Sequence, residues 1–121
     1  MENAKVGIFE DTADWQDILK GIVEMNGHQV TLSITSMDAA RITIPALPED
    51  VLNVALVDGN LNTKTASGAD GAEISRLLKE KFGEAITVIG CSGSHVVEGA
   101  DFNASKLGNP AQEIPDIIAA I

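Results

Sequence analysis

The amino-acid sequence predicts a doubly wound α/β fold, in which a five-stranded parallel sheet lies between two layers of helices. Short apolar runs alternate along the chain with longer stretches whose apolar residues recur at helical spacing. Such alternation is typical of parallel strands joined by right-handed helical crossovers. At 121 residues the chain is long enough for one hydrophobic core but not for two, so we expect a single domain over residues 1–121.

The first unit is a strand, a helix and a second strand. Lys5–Phe9 is a short apolar run that ends at two acids, and Gln29–Ile34 is predicted to be the second strand. The stretch between them has the apolar stripe of an amphipathic helix. Thr12 or Asp14 can cap the start of this helix, and Gly27 can end it in a left-handed conformation. The residues of the stripe are Trp15, Ile18, Leu19, Ile22 and Val23.

The middle of the chain supplies a third strand between two further helices. Residues 36–42 are predicted to form a short helix that stops before Pro45, because the residue before a proline is pushed away from helical angles. Asn53–Val57 is a buried strand, and the polar residues 59–69 after it are expected to form a long loop. A helix is predicted over residues 71–82.

The last third of the chain completes the sheet. Ala85–Cys91 is almost entirely apolar, as expected of a strand that is covered on both faces. Asp101–Ser105 is predicted to be a shorter fifth strand. A final helix is predicted over residues 109–121, with Pro110 at its first position. Pro115 has no backbone N–H, so we expect the regular helix to begin only there.

The composition excludes several classes of function. The 18 acidic and 8 basic residues give a formal net charge of -10, which opposes binding to a nucleic-acid backbone or to an anionic membrane surface. One cysteine cannot form an internal disulfide. No apolar stretch approaches the roughly 20 residues that a membrane span needs. We therefore expect a cytoplasmic protein, and its charge remains compatible with divalent cations or basic partners.

Polar side chains follow the predicted strands at the edge where the carboxyl ends meet, which is where doubly wound proteins bind ligands. Crowded carboxylates repel one another, and a hard cation such as Mg²⁺ relieves that repulsion. Asp58 could then attack phosphorus as a carboxylate nucleophile, while Lys106 and the Ser92 hydroxyl bind phosphoryl oxygens. The residues expected at this edge are Glu10, Asp11, Asp58, Ser92 and Lys106.

Four motifs, in their order and spacing, resemble the receiver domain of two-component response regulators over nearly the whole chain. They are FED at 9–11, VALVDGN at 54–60, VIGCSG at 88–93 and GADFNASK at 99–106. The resemblance implies a flavodoxin-like three-layer sandwich and a role in a phosphorelay. A histidine kinase or histidine phosphotransfer protein would phosphorylate the domain in the presence of Mg²⁺, and the phosphoprotein would then bind a downstream protein partner differently.

The same resemblance assigns a role to each residue of the edge. Asp58 is the phosphoacceptor, Ser92 takes the family's hydroxyl position and Lys106 takes the position of its lysine. A receiver is not an enzyme with a separate substrate, since at most it catalyses its own phosphoryl transfer and dephosphorylation. The implied metal ligands are Glu10 through water, Asp11, Asp58 and the backbone carbonyl of Asn60.

The chain departs from the family in the region through which phosphorylation usually changes partner binding. Only 14 positions separate Ser92 from Lys106, fewer than in typical members, so the fourth helix is expected to be reduced or absent. The position of the aromatic switch is Asn103, and Leu107 stands where the family has a proline, so no cis peptide is expected there. The loop after Asp58 lacks the family proline and is enlarged.

Less specific interpretations stay open. Asp58 could merely begin an Asp-Gly turn, and Glu10 and Asp11 could complement the dipole of the first helix. Ser92 and Lys106 could be an ordinary turn residue and an ordinary surface residue. The unusual readout region also fits a pseudo-receiver, an interaction module that works without phosphorylation.

Two enzymatic alternatives are disfavoured. A magnesium-dependent phosphohydrolase would be expected to carry a second aspartate two residues after Asp58 or a glycine-rich phosphate loop, and the sequence has neither. A flavin- or dinucleotide-binding protein would be expected to show G-x-G-x-x-G after the first strand.

Three further residues are interpreted individually. Trp15 lies one helical turn after Asp11, close enough to report metal binding. Cys91 lies in an apolar strand and is expected to be a small buried hydrophobe. His95 is expected to be a solvent-exposed loop residue rather than a metal ligand.

Overall fold

A computed structural model of the chain describes residues 1–61, 68–93 and 96–121. Strands and helices alternate along these residues in the predicted order. The strands are β1 Lys5–Phe9, β2 Gln29–Ile34, β3 Val54–Val57, β4 Thr87–Ser92 and β5 Phe102–Ser105. The helices are α1 Ala13–Met25, α2 Met37–Thr43, α3 Ala69–Phe82 and α4 Pro110–Ala120, and short 3₁₀ turns cover Ile44–Ala46 and Gly83–Ala85.

The five strands form one parallel sheet in the order β2-β1-β3-β4-β5. Strand β1 therefore lies between β2 and β3, and β5 lies at one edge. This is the doubly wound architecture that the alternation of apolar runs predicts. All five carboxyl ends meet at the same edge of the sheet.

The buried apolar side chains form two core clusters, one on each face of the sheet, whereas the chain length predicts one core. In β3, Val54 and Leu56 belong to one core and Ala55 and Val57 to the other, because successive side chains of a strand point to opposite faces. The first core contains residues of α1 and α4, chiefly Leu19, Ile22, Val23, Ile114 and Ile118. The second contains residues of α2 and α3, chiefly Met37, Ala40, Ile74 and Leu78. The central strands are thus covered on both sides.

Most element boundaries lie within two residues of the sequence prediction, and the capping residues explain them. Thr12 is the N-cap of α1 with extended backbone, although its side chain makes no capping bond, and Gly27 has φ +81° after the helix. Ser36 caps α2 by accepting a hydrogen bond from the Ala39 N–H at 3.1 Å. Pro45 does not end regular structure, because it lies at an early position of the Ile44–Ala46 turn, where its missing N–H is not needed.

The prediction that the last regular helix begins at Pro115 was wrong. Helix α4 begins at Pro110 and contains Pro115 in its interior. Pro115 deprives only the carbonyl of Ala111, an exposed residue in the first turn, of its helical donor. Burial of Ile114 and Ile118 on either side of the proline stabilises the helix across it.

The segment between β4 and β5 contains no helix in its described part, as its length predicts. Residues 96–101 form a turn in which the Ala100 N–H donates to the Val97 carbonyl at 3.3 Å. The side chain of Val97 is only 1% exposed and belongs to the core beside α3. It packs against Gly90, where an added Cβ would lie 2.7 Å from the Val97 Cβ.

Two further sequence predictions concern single residues and membrane spans. Cys91 is 1% exposed, and burial raises the pKa of its thiol to about 12, so it behaves as the expected buried hydrophobe. His95 lies outside the described residues. None of the helices in the described ranges combines the length and the apolar character that crossing a bilayer requires.

Candidate functional site

The carboxyl edge of the sheet brings the predicted polar residues together. The backbone ladder extends one residue beyond the strands. The Asp58 N–H donates to the Phe9 carbonyl at 2.9 Å, and the Lys106 N–H donates to the Ser92 carbonyl at 3.2 Å. The positions of these side chains are thus fixed by sheet hydrogen bonds rather than by a loop.

Three carboxylates converge at this edge. One oxygen from each of Glu10, Asp11 and Asp58 lies within 4.8 Å of the others. Glu10 is fully buried, and the side chain of Asp58 is only 12% exposed. Two backbone donors orient the group, since the Asp11 N–H donates to Glu10 Oε2 at 3.1 Å and the Gly59 N–H to Asp58 Oδ1 at 2.8 Å.

Lys106 supplies the positive charge of the site. Its ammonium forms an ion pair with the Glu10 carboxylate and lies 3.4 Å from Asp58 Oδ1. The Lys106 side chain is 11% exposed. The ammonium also lies 5.0 Å from the centroid of the Trp15 ring. One lysine therefore faces a buried carboxyl group, a partly buried one and an aromatic ring.

The pKa of the Glu10 carboxyl group is raised by its surroundings in the site. Burial and, next, the hydrogen bond with Asp58 raise the pKa of Glu10 to about 8, although Lys106 acts to lower it. The protonated form of this carboxyl group is therefore favoured near neutral pH more than in an ordinary glutamate.

Ser92 is positioned next to the phosphoacceptor candidate. It is the last residue of β4 and is 6% exposed. Its hydroxyl would lie 3.2 Å from a Cβ placed on Gly59, the residue after Asp58. Absence of a side chain at Gly59 lets the hydroxyl approach this part of the chain.

The start of α3 packs tightly against the Asp58 segment. The Gly71 N–H donates to the Gly59 carbonyl at 2.9 Å. A Cβ on Gly71 would lie 2.7 Å from the Asp58 carbonyl oxygen and 3.1 Å from a methyl carbon of Val97. Only glycine fits at this position without moving the backbone that carries Asp58.

The enlarged loop after Asp58 is closed at its base. The Gly68 N–H donates to the side-chain oxygen of Asn60 at 2.8 Å, and the Leu61 N–H donates to Asp70 Oδ2 at 3.0 Å. The side chain of Asn60 thus holds the loop, and its backbone carbonyl remains the predicted metal ligand. Residues 62–67 of the predicted loop lie outside the described residues.

Sequence reasoning missed Gln16. Its side-chain amide donates to the carbonyls of Glu10 at 3.0 Å and Ile34 at 3.1 Å, so it joins the ends of β1 and β2 behind the carboxylates. The available signal was a long polar side chain on the helix turn that follows Glu10 and Asp11. The sequence did place Trp15 near the site, but it did not show that the ring faces Lys106.

An open depression of about 380 Å³ lies beside Ser92 and extends along β5. Asn103 and Ser105 on β5, Val96 before it and Glu113 of α4 line its walls. A larger depression of about 480 Å³ lies far from the carboxylates, against the first residues of the chain and the end of α4. The chemistry of the residues, rather than the volume, identifies the carboxyl edge as the functional site.

No protein-family model matches the chain, and no curated protein matches it. Solved structures do resemble it over almost their whole length. A CheY-like receiver domain from Methanospirillum hungatei JF-1 has a TM-score of 0.72 at 21% identity, with 97% of this chain and 92% of that chain covered. A receiver domain from Clostridium thermocellum has a TM-score of 0.75 at 20% identity, with 97% and 92% covered.

A third similar structure shows a metal ion. It is the receiver domain of a sensor histidine kinase from Pseudomonas aeruginosa PAO1, described with a magnesium ion coordinated in the active site cleft. Its TM-score is 0.74 at 15% identity, with 98% of this chain and 96% of that chain covered. At such identities the likeness establishes the fold of the chain.

Proposed function

The chain has the fold of a response regulator receiver domain, and we propose that it is a phosphoacceptor signalling domain of a two-component or phosphorelay system. The observation that carries the proposal is the position of Asp58, which lies next to Glu10 and Asp11 and 3.4 Å from the ammonium of Lys106. A turn aspartate would not require two further carboxylates and a largely enclosed lysine around it.

The proposed reaction transfers one phosphoryl group. A carboxylate oxygen of Asp58 forms a bond to phosphorus while the bond from phosphorus to the histidine nitrogen of the donor breaks, and the electron pair of that bond leaves with the histidine. The product is an acyl phosphate on Asp58. Lys106 offsets the negative charge of the transferred group, and the Ser92 hydroxyl donates to one of its oxygens.

The three carboxylates fit a magnesium ion. Glu10, Asp11 and Asp58 offer the hard oxygen ligands that Mg²⁺ prefers, and we propose that they hold it together with the backbone carbonyl of Asn60. When bound, the ion would neutralise charge on the phosphoryl oxygens. A proton on Glu10, which its raised pKa favours, would compete with the metal ion for this carboxyl group.

We further propose that the domain acts in the cytoplasm through two kinds of protein partner. A histidine kinase or histidine phosphotransfer protein would donate the phosphoryl group, and a downstream protein would bind the two forms with different affinity. Catalysis would be limited to the domain's own phosphorylation and dephosphorylation.

The test is an intact mass measurement after incubation with Mg²⁺ and acetyl phosphate. We expect the wild-type chain to gain the mass of one phosphoryl group and the Asp58→Asn variant to gain none. Asp101→Asn, which removes a carboxylate at the amino end of β5, opposite to the end that Lys106 follows, is the matched control and should still be phosphorylated. An adduct that persists in Asp58→Asn, or a wild-type chain without one, would contradict the proposal.

A second candidate function is a pseudo-receiver that binds its partner without phosphorylation. The observation in its favour is Asn103, whose side-chain oxygen is held by the Val97 N–H at 2.9 Å where receivers usually carry a switchable aromatic ring. This candidate predicts that Asp58→Asn leaves partner affinity unchanged. A change in affinity on phosphorylation would eliminate it.

A further inference from the structure

Trp15 contributes an aromatic face to the site. Its position in the first turn of α1, three residues after the N-cap Thr12, places it beside the carboxyl edge. The side chain is partly buried and packs against the core that also contains Leu19. Because the ring is held by this packing, it presents a fixed surface to the ammonium of Lys106, 5.0 Å from its centroid.

The groups that contact the Lys106 ammonium differ in whether they still attract it when a metal ion is bound. The carboxyl groups of Glu10 and Asp58 contact it, and in the proposed function both are also metal ligands. A carboxylate that is engaged by a divalent cation attracts an ammonium less strongly. The indole ring of Trp15 does not compete for metal, so its attraction for the ammonium persists.

From this geometry we propose that Trp15 is a positioning residue for Lys106. The ring holds the ammonium next to Asp58 when Glu10 is bound to the metal ion. Lys106 is then already in place for the incoming phosphoryl oxygens. The inference rests on the proposed function, because it concerns the rate at which Asp58 is phosphorylated. It assigns Trp15 a role apart from metal binding, since the ring has no ligand atom for Mg²⁺.

The experiment compares Trp15→Leu, Trp15→Phe and wild type in two measurements. The first is the NMR shift of the Lys106 side-chain methylene protons, with and without Mg²⁺, because a nearby ring moves these signals upfield. The second is the rate of phosphorylation by acetyl phosphate at saturating Mg²⁺. Phe102→Leu is the matched control, since Phe102 is a partly exposed aromatic at the opposite end of β5 from Lys106.

We expect Trp15→Leu to abolish the upfield shift and to slow phosphorylation about threefold to tenfold, the range that a partly desolvated cation–π contact supports. Its Mg²⁺ affinity, followed by NMR because Trp15 is the sole tryptophan of the sequence, should stay within about twofold of wild type, which also shows that the variant folds. Trp15→Phe should restore most of the rate, and Phe102→Leu should leave both readouts unchanged.

Two kinds of result would overturn the inference. One leaves the proposed function intact, and the other contradicts it as well. A folded Trp15→Leu variant that is phosphorylated as fast as wild type, or whose Lys106 signals do not move, refutes the positioning role alone. A wild-type chain that accepts no phosphoryl group refutes the proposed function and the role of Trp15 with it.

Discussion

Asn103 accepts a hydrogen bond from the backbone N–H of Val97 at 2.9 Å, and its side-chain oxygen lies over Gly90. A Cβ on Gly90 would come within 2.2 Å of that oxygen and 2.7 Å of the Val97 Cβ. The strand β4, the turn before β5 and β5 itself are thus joined at one point. This joint occupies the region where a fourth helix is expected in related folds.

Substitution of this glycine is expected to destabilise the domain. Gly90→Ala introduces a methyl group that Asn103 and Val97 must move to accommodate, at a cost of about 1–3 kcal/mol in the free energy of unfolding. Urea denaturation measures this cost. Gly21→Ala is the control, because nothing lies within 4 Å of a Cβ there and the residue is in a helix, so it should raise stability by about 0.5–1 kcal/mol. Equal stability of Gly90→Ala and wild type would contradict this prediction, because it would show that Asn103 and Val97 can move away from Gly90 at no cost in free energy.

Magnesium affinity is expected to rise with pH. With its pKa raised to about 8, Glu10 holds a proton at pH 7, and that proton must leave before a metal ion can be held. The dissociation constant for Mg²⁺ should therefore fall by about tenfold between pH 7 and pH 9. Titration of Trp15 fluorescence measures it. In Glu10→Gln, which cannot titrate, the affinity should be weaker and nearly independent of pH, whereas a wild-type constant that does not change with pH would contradict this role of Glu10.

The metal-free protein is expected to lose stability as the pH rises. The folded-state pKa of Glu10, about 8, lies above its ordinary value of 4.5, so folding favours the protonated form. The stabilising contribution is complete below pH 4.5 and is lost as the pH passes through about 8. Between pH 6 and pH 9 the free energy of unfolding should decrease by an amount on the order of a few kcal/mol.

Chemical denaturation at a series of pH values, with a chelator present, checks this loss. Glu10→Gln keeps the shape of the side chain without its charge and should show little change over the same interval. Addition of Mg²⁺ should restore stability at pH 9. Parallel curves for wild type and Glu10→Gln would rule out Glu10 as the source.

Asp101 is expected to stabilise the start of β4 through its hydrogen bond more than through its ion pair. Its Oδ2 accepts from the Val88 N–H at 2.8 Å and from Lys79 Nζ at 2.6 Å. Both charged side chains are about one-third exposed, so the ion pair contributes little. Asp101→Ala should cost about 1–3 kcal/mol, because the Val88 N–H loses its partner.

Asp101→Asn tests the distinction, since an amide oxygen can still accept from Val88. It should cost less than about 1 kcal/mol, and high salt should affect wild type only weakly. If both variants lose the same stability in urea denaturation, the charge of Asp101 is the main contribution instead.

The sequence predicted the sheet well because its strands are buried on both faces. Runs such as Val54–Val57 contain only apolar residues, and a parallel strand covered by helices requires this composition. The last helix was predicted less well, because Pro115 argues against a regular helix when considered alone. Burial of Ile114 and Ile118 outweighs that local preference, and burial depends on the complete fold.

The members of the candidate site could also be predicted, but their pairing could not. Strand ends place Glu10, Asp58 and Lys106 at one edge, yet only the structure shows that the lysine pairs with Glu10 and lies 3.4 Å from Asp58. The contacts of Gln16 and Asn103 depend on side-chain directions across elements that are distant in sequence. No spacing rule specifies such directions.

The hydrogen bonds from Gly68 to Asn60 and from Leu61 to Asp70 make the base of the loop a closed ring. Two backbone donors and two side-chain acceptors complete this ring entirely from described residues. We therefore expect a foreign peptide inserted between Leu61 and Gly68 to leave the ring, the position of Asp58 and the register of the sheet unchanged.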